Sequence, residues 1–293
     1  MLRLLLTITF IAVSACSSAQ TQDLLVEGVQ SPAWVERAGT REPLAVGMAL
    51  SDRDRVVSGG DARVLLRMPE GSLVKLGADG RLDLDRLAVR EEPQSTLVTA
   101  ALNVVKGAFR FTTQAARRFQ SRREVDVRIA TITVGIRGTD LWGKAADDRD
   151  IVCLIEGSIN VQRESEAAFA MDQPLSFYIA PKNAPALPVA PVPQEQLETW
   201  AAETEIQPRT GATRAGGDWI VYVTDITYQP QASAVEAALR SAGYPAELHP
   251  VPLRGSVFYR VRIRNLPSFE EAGALAARLR AFPGVANPSV VRG

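Results

Sequence analysis

Alternating apolar and polar positions predict a series of short β-strands in the first part of the chain. In Ala62–Met68 every second residue is apolar and arginines fall between them, which is typical of a half-buried strand. Turn residues follow at Pro69–Ser72 and Gly77–Gly80, and further short apolar runs continue without a long helical pattern. This spacing predicts an all-β domain over residues 28–180, built as a sandwich or as a solenoid-like stack.

The pattern changes in the C-terminal part, residues 218–293, where strand and helix periods alternate. Ser268 and Glu271 form a capping box in front of an apolar helical stripe. Strands are predicted near residues 219–224, 246–251, 258–263 and 288–291, with helices over 235–243 and after 268. The order β-α-β-β-α-β predicts a ferredoxin-like α+β domain with both helices on one face of an antiparallel sheet.

The other face of this predicted sheet is left uncovered by helices. In Tyr259–Arg264 strict alternation separates three apolar residues from three arginines. The uncovered face is expected to carry Tyr222 from the first strand and Phe258, Arg260 and Arg262 from the third. A strand with a buried face and an arginine-bearing open face, backed by an amphipathic helix, is typical of a small binding module.

A segment rich in proline and glycine joins the two predicted domains. Residues 181–217 contain repeated prolines and end in a pair of glycines, which predicts a semi-rigid linker. Within it, residues 194–205 have an apolar stripe at helical spacing, with Leu197 and Trp200 as its large members. We therefore expect a short helix that packs on one domain or bridges both.

The N-terminal segment has the pattern of an export signal. A short positive start precedes an apolar stretch from Leu4 to Val13, which is too short to span a bilayer. The segment 1–16 closes on Val13–Cys16, which resembles the lipobox of bacterial lipoproteins. The resemblance implies that Cys16 is lipidated and becomes the new N-terminus after cleavage. The alternative is a soluble secreted protein that is cut after Ala19. Lipidation implies that the protein is anchored to a membrane. By the same resemblance, a serine at position 17, directly after the cysteine, favours the outer membrane over the inner one.

Composition argues against catalysis, metal binding and nucleic-acid binding. The chain has one histidine, His249, and two cysteines, so it lacks the ligand sets of zinc sites and the arrangements of nucleophilic catalysis. Cys153 lies in an apolar run and is expected to be a buried small hydrophobe. The formal net charge is zero, and together with the export signal this argues against RNA or DNA as a partner. We predict a non-enzymatic protein without cofactor or metal.

Five motifs follow one another in the predicted all-β domain, namely Asp54–Gly59, Pro69–Ser72, Lys106–Thr113, Gly135–Asp140 and Leu154–Ser158. In this order they resemble the FecR-type periplasmic domain, and the resemblance covers roughly residues 45–162. It implies the fold and a role in the cell envelope in contact with a protein or the wall. The family's sigma-factor regulation is not carried over, because that activity belongs to members with a cytoplasmic segment and a transmembrane helix.

Three stretches stand out in the C-terminal part, within residues 218–292: Ala234–Ala246, Tyr259–Ile263 and Phe269–Leu279. Together they resemble the SPOR domain, a peptidoglycan-binding module of bacterial division and envelope proteins. The family binds glycan strands stripped of stem peptides through its open sheet face. The resemblance therefore implies that Tyr222, Phe258, Arg260 and Arg262 bind glycan, since aromatic rings stack on sugars and guanidinium groups reach their oxygens. The alternative is that the arginines are only a solvated face.

Two functional hypotheses follow for a periplasmic protein. In the first, the SPOR-like domain binds denuded peptidoglycan while the FecR-like domain binds an envelope protein. In the second, the protein is a sensory or scaffolding adaptor that acts through the FecR-like domain, and the tail is a degenerate spacer. Replacement of Tyr222, Arg260 and Arg262 by alanine distinguishes them, because wall binding collapses only under the first.

Overall fold

A computed structural model describes residues 23–92, 95–113, 121–136, 138–164, 166–253, 255–285 and 287–293. The signal segment 1–16, its Cys16 and the alternative cleavage point after Ala19 lie outside the described residues, so both processing routes stay predictions. In the part that the structure describes, no helix is long and apolar enough to cross a membrane.

The N-terminal part forms two β-sheets that share one long strand, β9 (Ser95–Thr112). Sheet A contains, besides β9, the strands β1 (Leu24–Gln30), β4 (Ala49–Leu50), β6 (Arg63–Arg67), β7 (Leu73–Leu76), β12 (Asp140–Ala145), β13 (Arg149–Glu156), β16 (Ser176–Pro181), β17 (Ala190–Pro191) and β18 (Thr213–Arg214). Sheet B contains, besides β9, the strands β2 (Ala33–Arg37), β3 (Thr40–Pro43), β5 (Arg55–Ser58), β8 (Arg81–Glu92), β10 (Ser121–Ile129), β11 (Ile132–Ile136), β14 (Ile159–Arg163) and β15 (Phe169–Met171).

Strand β9 joins the sheets by changing its partners at Gly107. Up to Lys106 it pairs with β8 in sheet B, and from Gly107 onward it pairs with β12 in sheet A. Gly107 has φ +87°, and an added Cβ would lie 2.7 Å from the Cα of Gly80, so the corner requires glycine. Apolar side chains from both sheets, such as Phe109 and Leu82, share one core. Of the two all-β architectures expected, this arrangement is a sandwich.

The segment between the predicted domains follows the surface of this sandwich. β17 pairs with β16, and β18 pairs with β1. Between them, helix α1 (Gln194–Thr204) covers the outer face of sheet A, where Trp200 stacks on Trp142 with ring centroids 4.7 Å apart and planes 6° apart. These two rings belong to a small core separate from that between the sheets. The helix therefore packs on the sandwich.

The C-terminal part is an antiparallel sheet backed by two helices, which confirms the predicted ferredoxin-like fold. Its elements are β19 (Trp219–Ile226), α2 (Gln229–Ser241), β20 (Glu247–Leu253), β21 (Ser256–Leu266), α3 (Phe269–Leu279) and β22 (Ser289–Arg292), and the strand order is β20-β21-β19-β22. Val221, Val261 and Ile263 point to the helices and are buried against Leu239 and Leu275. We call this sheet C.

Local signals explain where the two helices of this part begin and end. Ser268 caps α3, because its Oγ accepts a hydrogen bond from the N–H of Glu271 at 3.3 Å. Helix α2 ends at Ser241, and Gly243 follows with φ +83°, the left-handed conformation that favours glycine after a helix. The predicted helix boundary at Gly243 therefore corresponds to a real C-terminal cap.

Candidate functional site

The four predicted glycan-binding residues lie together on the face of sheet C that the helices leave open. Tyr222 of β19 is directly opposite Arg262 of β21, and Phe258 and Arg260 lie farther along the same strand. All four side chains are half-buried. The neighbouring residues Val221, Val261 and Ile263 are buried in the core on the other side of the sheet, as strand alternation requires.

Arg260 is the centre of this group. Its guanidinium carbon lies 3.9 Å from the ring centroid of Tyr222 and 5.1 Å from that of Phe258. Its Nε and Nη2 each donate a hydrogen bond of 2.7 Å to the carboxylate of Asp225. This pairing raises the pKa of Arg260 above its ordinary value. The side chain is thus held over an aromatic ring by a two-point ion pair.

Asp225 was not among the predicted site residues, and a β-bulge explains why. Simple alternation from Tyr222 places Thr224 on the open face and Asp225 on the helix side. The register of β19 shifts between Tyr222 and Thr224, so that Asp225 is opposite Arg260. The strand β19 continues through residues 224–226.

A second carboxylate holds the other two arginines. Glu247 of β20 is opposite Arg262 in the sheet. Its Oε1 accepts hydrogen bonds from Nε of Arg262 at 2.8 Å and forms an ion pair with Nε of Arg264 at 2.5 Å. Glu247 lies on a different strand from its arginine partners. It could therefore have been found from the sequence only if the register of the two strands had been known.

The open face therefore combines positive charge with aromatic surface. Three guanidinium groups, those of Arg260, Arg262 and Arg264, are paired with two carboxylates, those of Asp225 and Glu247. This count leaves one positive charge in excess among these five groups. Arginine carries five N–H donors, and Arg260 uses two of its nitrogen atoms on Asp225, so N–H groups remain to bind the oxygens of a ligand.

Family models match both parts of the chain. One describes the FecR protein family and matches residues 54–160, and the other describes the SPOR domain and matches residues 215–292. The chain contains a FecR domain followed by a SPOR domain. SPOR domains bind peptidoglycan, and both domains are binding or regulatory modules without catalytic activity. The open face described above belongs to the SPOR domain.

Solved structures that are similar to this chain have low sequence identity to it. Two crystal structures of a "putative anti-sigma factor" from Parabacteroides distasonis ATCC 8503, at 1.65 Å and 2.50 Å resolution, are 16% and 14% identical to the chain. Each match covers 82% of this chain and 99% or 98% of the other, with TM-scores of 0.38 and 0.39. The comparison with curated proteins finds no match.

The cysteine of the FecR part lies in the small core under helix α1. Cys153 is fully buried against Trp200, and burial raises the pKa of its thiol to about 12. Such a thiol is a poor nucleophile. Among the residues that the structure describes, no group of three or more histidine, cysteine, aspartate or glutamate side chains is placed to hold a metal ion.

Proposed function

We propose that this protein is a non-enzymatic envelope protein that binds peptidoglycan glycan strands through the open face of its SPOR domain. In this proposal it works in the periplasm, anchored to the outer membrane through a lipidated Cys16, and its FecR domain binds a protein partner. The observation that supports glycan binding best is the cluster of Tyr222, Phe258, Arg260 and Arg262 on one uncovered sheet face.

The geometry of this cluster suits a sugar chain. Phe258 and Tyr222 offer apolar ring surface to the C–H faces of pyranose rings, and Arg260 lies against both rings. Guanidinium groups donate hydrogen bonds to hydroxyl, acetamido and carboxylate oxygens. An extended strand face also matches a linear ligand.

Charge gives a reason for a preference for denuded glycan. An amidase hydrolyses the amide that joins the stem peptide to muramic acid, so each stripped sugar keeps a free carboxylate. The excess positive charge of the arginine face attracts this carboxylate, and arginine binds it with two parallel hydrogen bonds. A strand that still carries its peptides lacks these carboxylates and is bulkier.

Co-sedimentation with sacculi tests the proposal. The chain from Asp23 to Gly293, which contains all three hydrophobic cores, is mixed with peptidoglycan sacculi before and after treatment with an amidase. We expect binding that increases on denuded glycan. Replacement of Tyr222, Arg260 and Arg262 by alanine should weaken binding at least about tenfold, because hydrogen bonds to charged groups are lost.

A matched control removes the same residue types elsewhere on the surface. Tyr228, Arg149 and Arg280 are exposed and lie away from the open face, and their triple alanine variant should bind sacculi like the parent chain. Equal binding by both triple variants would contradict the proposal. That result would favour the adaptor hypothesis, in which the FecR domain carries the function and the SPOR domain is a spacer.

A further inference from the structure

The helical side of the SPOR domain is in contact with the β-sandwich. The backbone N–H of Ala33, at the start of β2, donates to the carbonyl of Gly243 at 3.2 Å. The indole Nε1 of Trp34 donates to the carbonyl of Ser241 at 3.2 Å. From α3, Arg278 donates through Nη1 to the carbonyl of Ser31 at 3.1 Å. Residues 31–34 of the sandwich therefore contact both helices of the SPOR domain.

Gly243 allows this contact to be close. A Cβ at this position would lie 2.7 Å from the ring of Trp34 and 2.8 Å from the side chain of Pro32, so any other residue would push the two parts away from each other. The glycine thus serves two purposes, since its φ of +83° also ends α2. Only the second purpose can be recognised from sequence.

A partly buried carboxylate, that of Glu271, makes a second contact on the helical side of the SPOR domain. The side chain of Glu271, in the first turn of α3, accepts four backbone hydrogen bonds from the segment that enters the SPOR domain. The donors are the N–H groups of Arg209 (2.6 Å), Thr210 (3.1 Å), Gly211 (2.7 Å) and Ala212 (3.1 Å). Successive backbone N–H groups that point to one anion form a nest.

The chain is shaped to make this nest. Arg209 and Gly211 both have positive φ, at +59° and +75°, which turns neighbouring N–H groups toward one point. A Cβ on Gly211 would lie 2.8 Å from the Cβ of Leu275, so the backbone here lies directly on α3. The sequence pattern predicts that Glu271 caps its own helix, but its carboxylate binds the preceding segment instead.

We propose that the helical side of the SPOR domain is a docking surface for the β-sandwich, and that Glu271 is the latch that keeps it docked. Its partner is the sandwich of the same chain, because residues 209–212 lead directly into β18, which pairs with β1 of sheet A. The carboxylate of Glu271 holds this segment by charge-assisted hydrogen bonds, which are stronger than neutral ones. Docking uses the helices and leaves the arginine-bearing face of sheet C uncovered. The FecR domain and the glycan-binding face are consequently held at a fixed distance and orientation.

This inference does not depend on the proposed function, and hydrogen exchange of individual amides tests it. In the chain from Asp23 to Gly293 we expect the amides of 209–212 and of Ala33 to be protected, because each donates a hydrogen bond. Glu271→Ala should speed exchange at 209–212 at least about tenfold, since each amide loses a charged acceptor. If Glu271 is a latch, exchange at Ala33, whose acceptor is on the far side of the contact, should also rise. Sacculus binding should stay unchanged, because the open face is intact.

Two further variants make the result decisive. Glu270→Ala removes the neighbouring first-turn carboxylate and the same helix-dipole contribution, and it should leave both sets of amides protected. Arg278→Ala removes one contact from an exposed side chain and should speed exchange at Ala33 without unfolding either domain. Acceleration confined to 209–212 in Glu271→Ala, or an unchanged Ala33 in Arg278→Ala, would overturn the proposal.

Discussion

Replacing Trp200 with alanine should uncover the outer face of sheet A and destabilise the sandwich. Trp200 is 8% exposed, stacks on the fully buried Trp142 and meets Phe177 edge-on at 5.7 Å. A buried tryptophan replaced by alanine costs about 3–5 kcal/mol. The stacked pair contributes about 0.5–1.5 kcal/mol beyond its buried area. We expect a loss of about 3–5 kcal/mol in the free energy of unfolding.

The reactivity of the Cys153 thiol, which lies beneath helix α1, should reveal the same change. It lies in the core formed by Trp142 and Trp200, and burial raises the pKa of its thiol from 9.0 to about 12. At pH 8 a thousandfold smaller fraction is then thiolate than in an exposed thiol, roughly a factor of ten for each unit of pKa. Uncovering the site should bring the pKa of the thiol back toward 9 and admit a thiol reagent. Reaction of Cys153 should become at least about a hundredfold faster.

Urea unfolding and reaction with an aromatic disulfide reagent measure the two effects. Trp219→Ala is the matched control, because Trp219 is a partly buried tryptophan of sheet C that meets Phe269 edge-on at 5.5 Å. It should leave Cys153 unreactive in the folded protein. A Trp200→Ala variant that loses less than about 1 kcal/mol and keeps Cys153 unreactive would show that the helix does not protect the sandwich, and the reasoning above would be wrong.

Two other substitutions test the site and the fold. Asp225→Asn removes the carboxylate that fixes Arg260 but keeps its shape, so binding to denuded sacculi should weaken about two- to fivefold, and unchanged or stronger binding in co-sedimentation would contradict this. Gly107→Ala should cost at least about 2 kcal/mol in urea unfolding, because a Cβ there meets backbone at 2.7 Å with φ at +87°. Gly135→Ala is its control, since a Cβ at Gly135 makes only an ordinary contact at 3.7 Å, and equal losses would refute the argument.

Much of the fold could be predicted because it rests on local patterns. Strand alternation and turn residues indicated the all-β part, and the switch between periods of 2 and 3.6 indicated the order of elements in sheet C. The sharing of β9 between two sheets could not be predicted, because it depends on the corner at Gly107 and its contact with Gly80, which are far apart in sequence. The division of the chain into a linker at 181–217 and its flanking domains stays a prediction.

The candidate site could be predicted only in part for a similar reason. Period-2 alternation correctly grouped Tyr222, Phe258, Arg260 and Arg262 on one face. It gave no sign of Asp225, because an inserted residue in β19 reverses the alternation after Tyr222. Likewise a capping box is defined over four residues, so the sequence pattern could not indicate that Glu271 binds residues about 60 positions earlier.

The ion pairs on the open face also bear on the choice between a binding face and a solvated one. An unrestrained arginine side chain loses about 2 kcal/mol of rotamer entropy when a ligand fixes it. Asp225 and Glu247 already fix Arg260 and Arg262, so the donors for the proposed glycan ligand are in place before binding. A face with only a solvating role needs neither the bulge that brings Asp225 to this side nor a guanidinium group held over the ring of Tyr222. The pairing therefore favours a preorganised recognition surface, in which orientation contributes more than net charge.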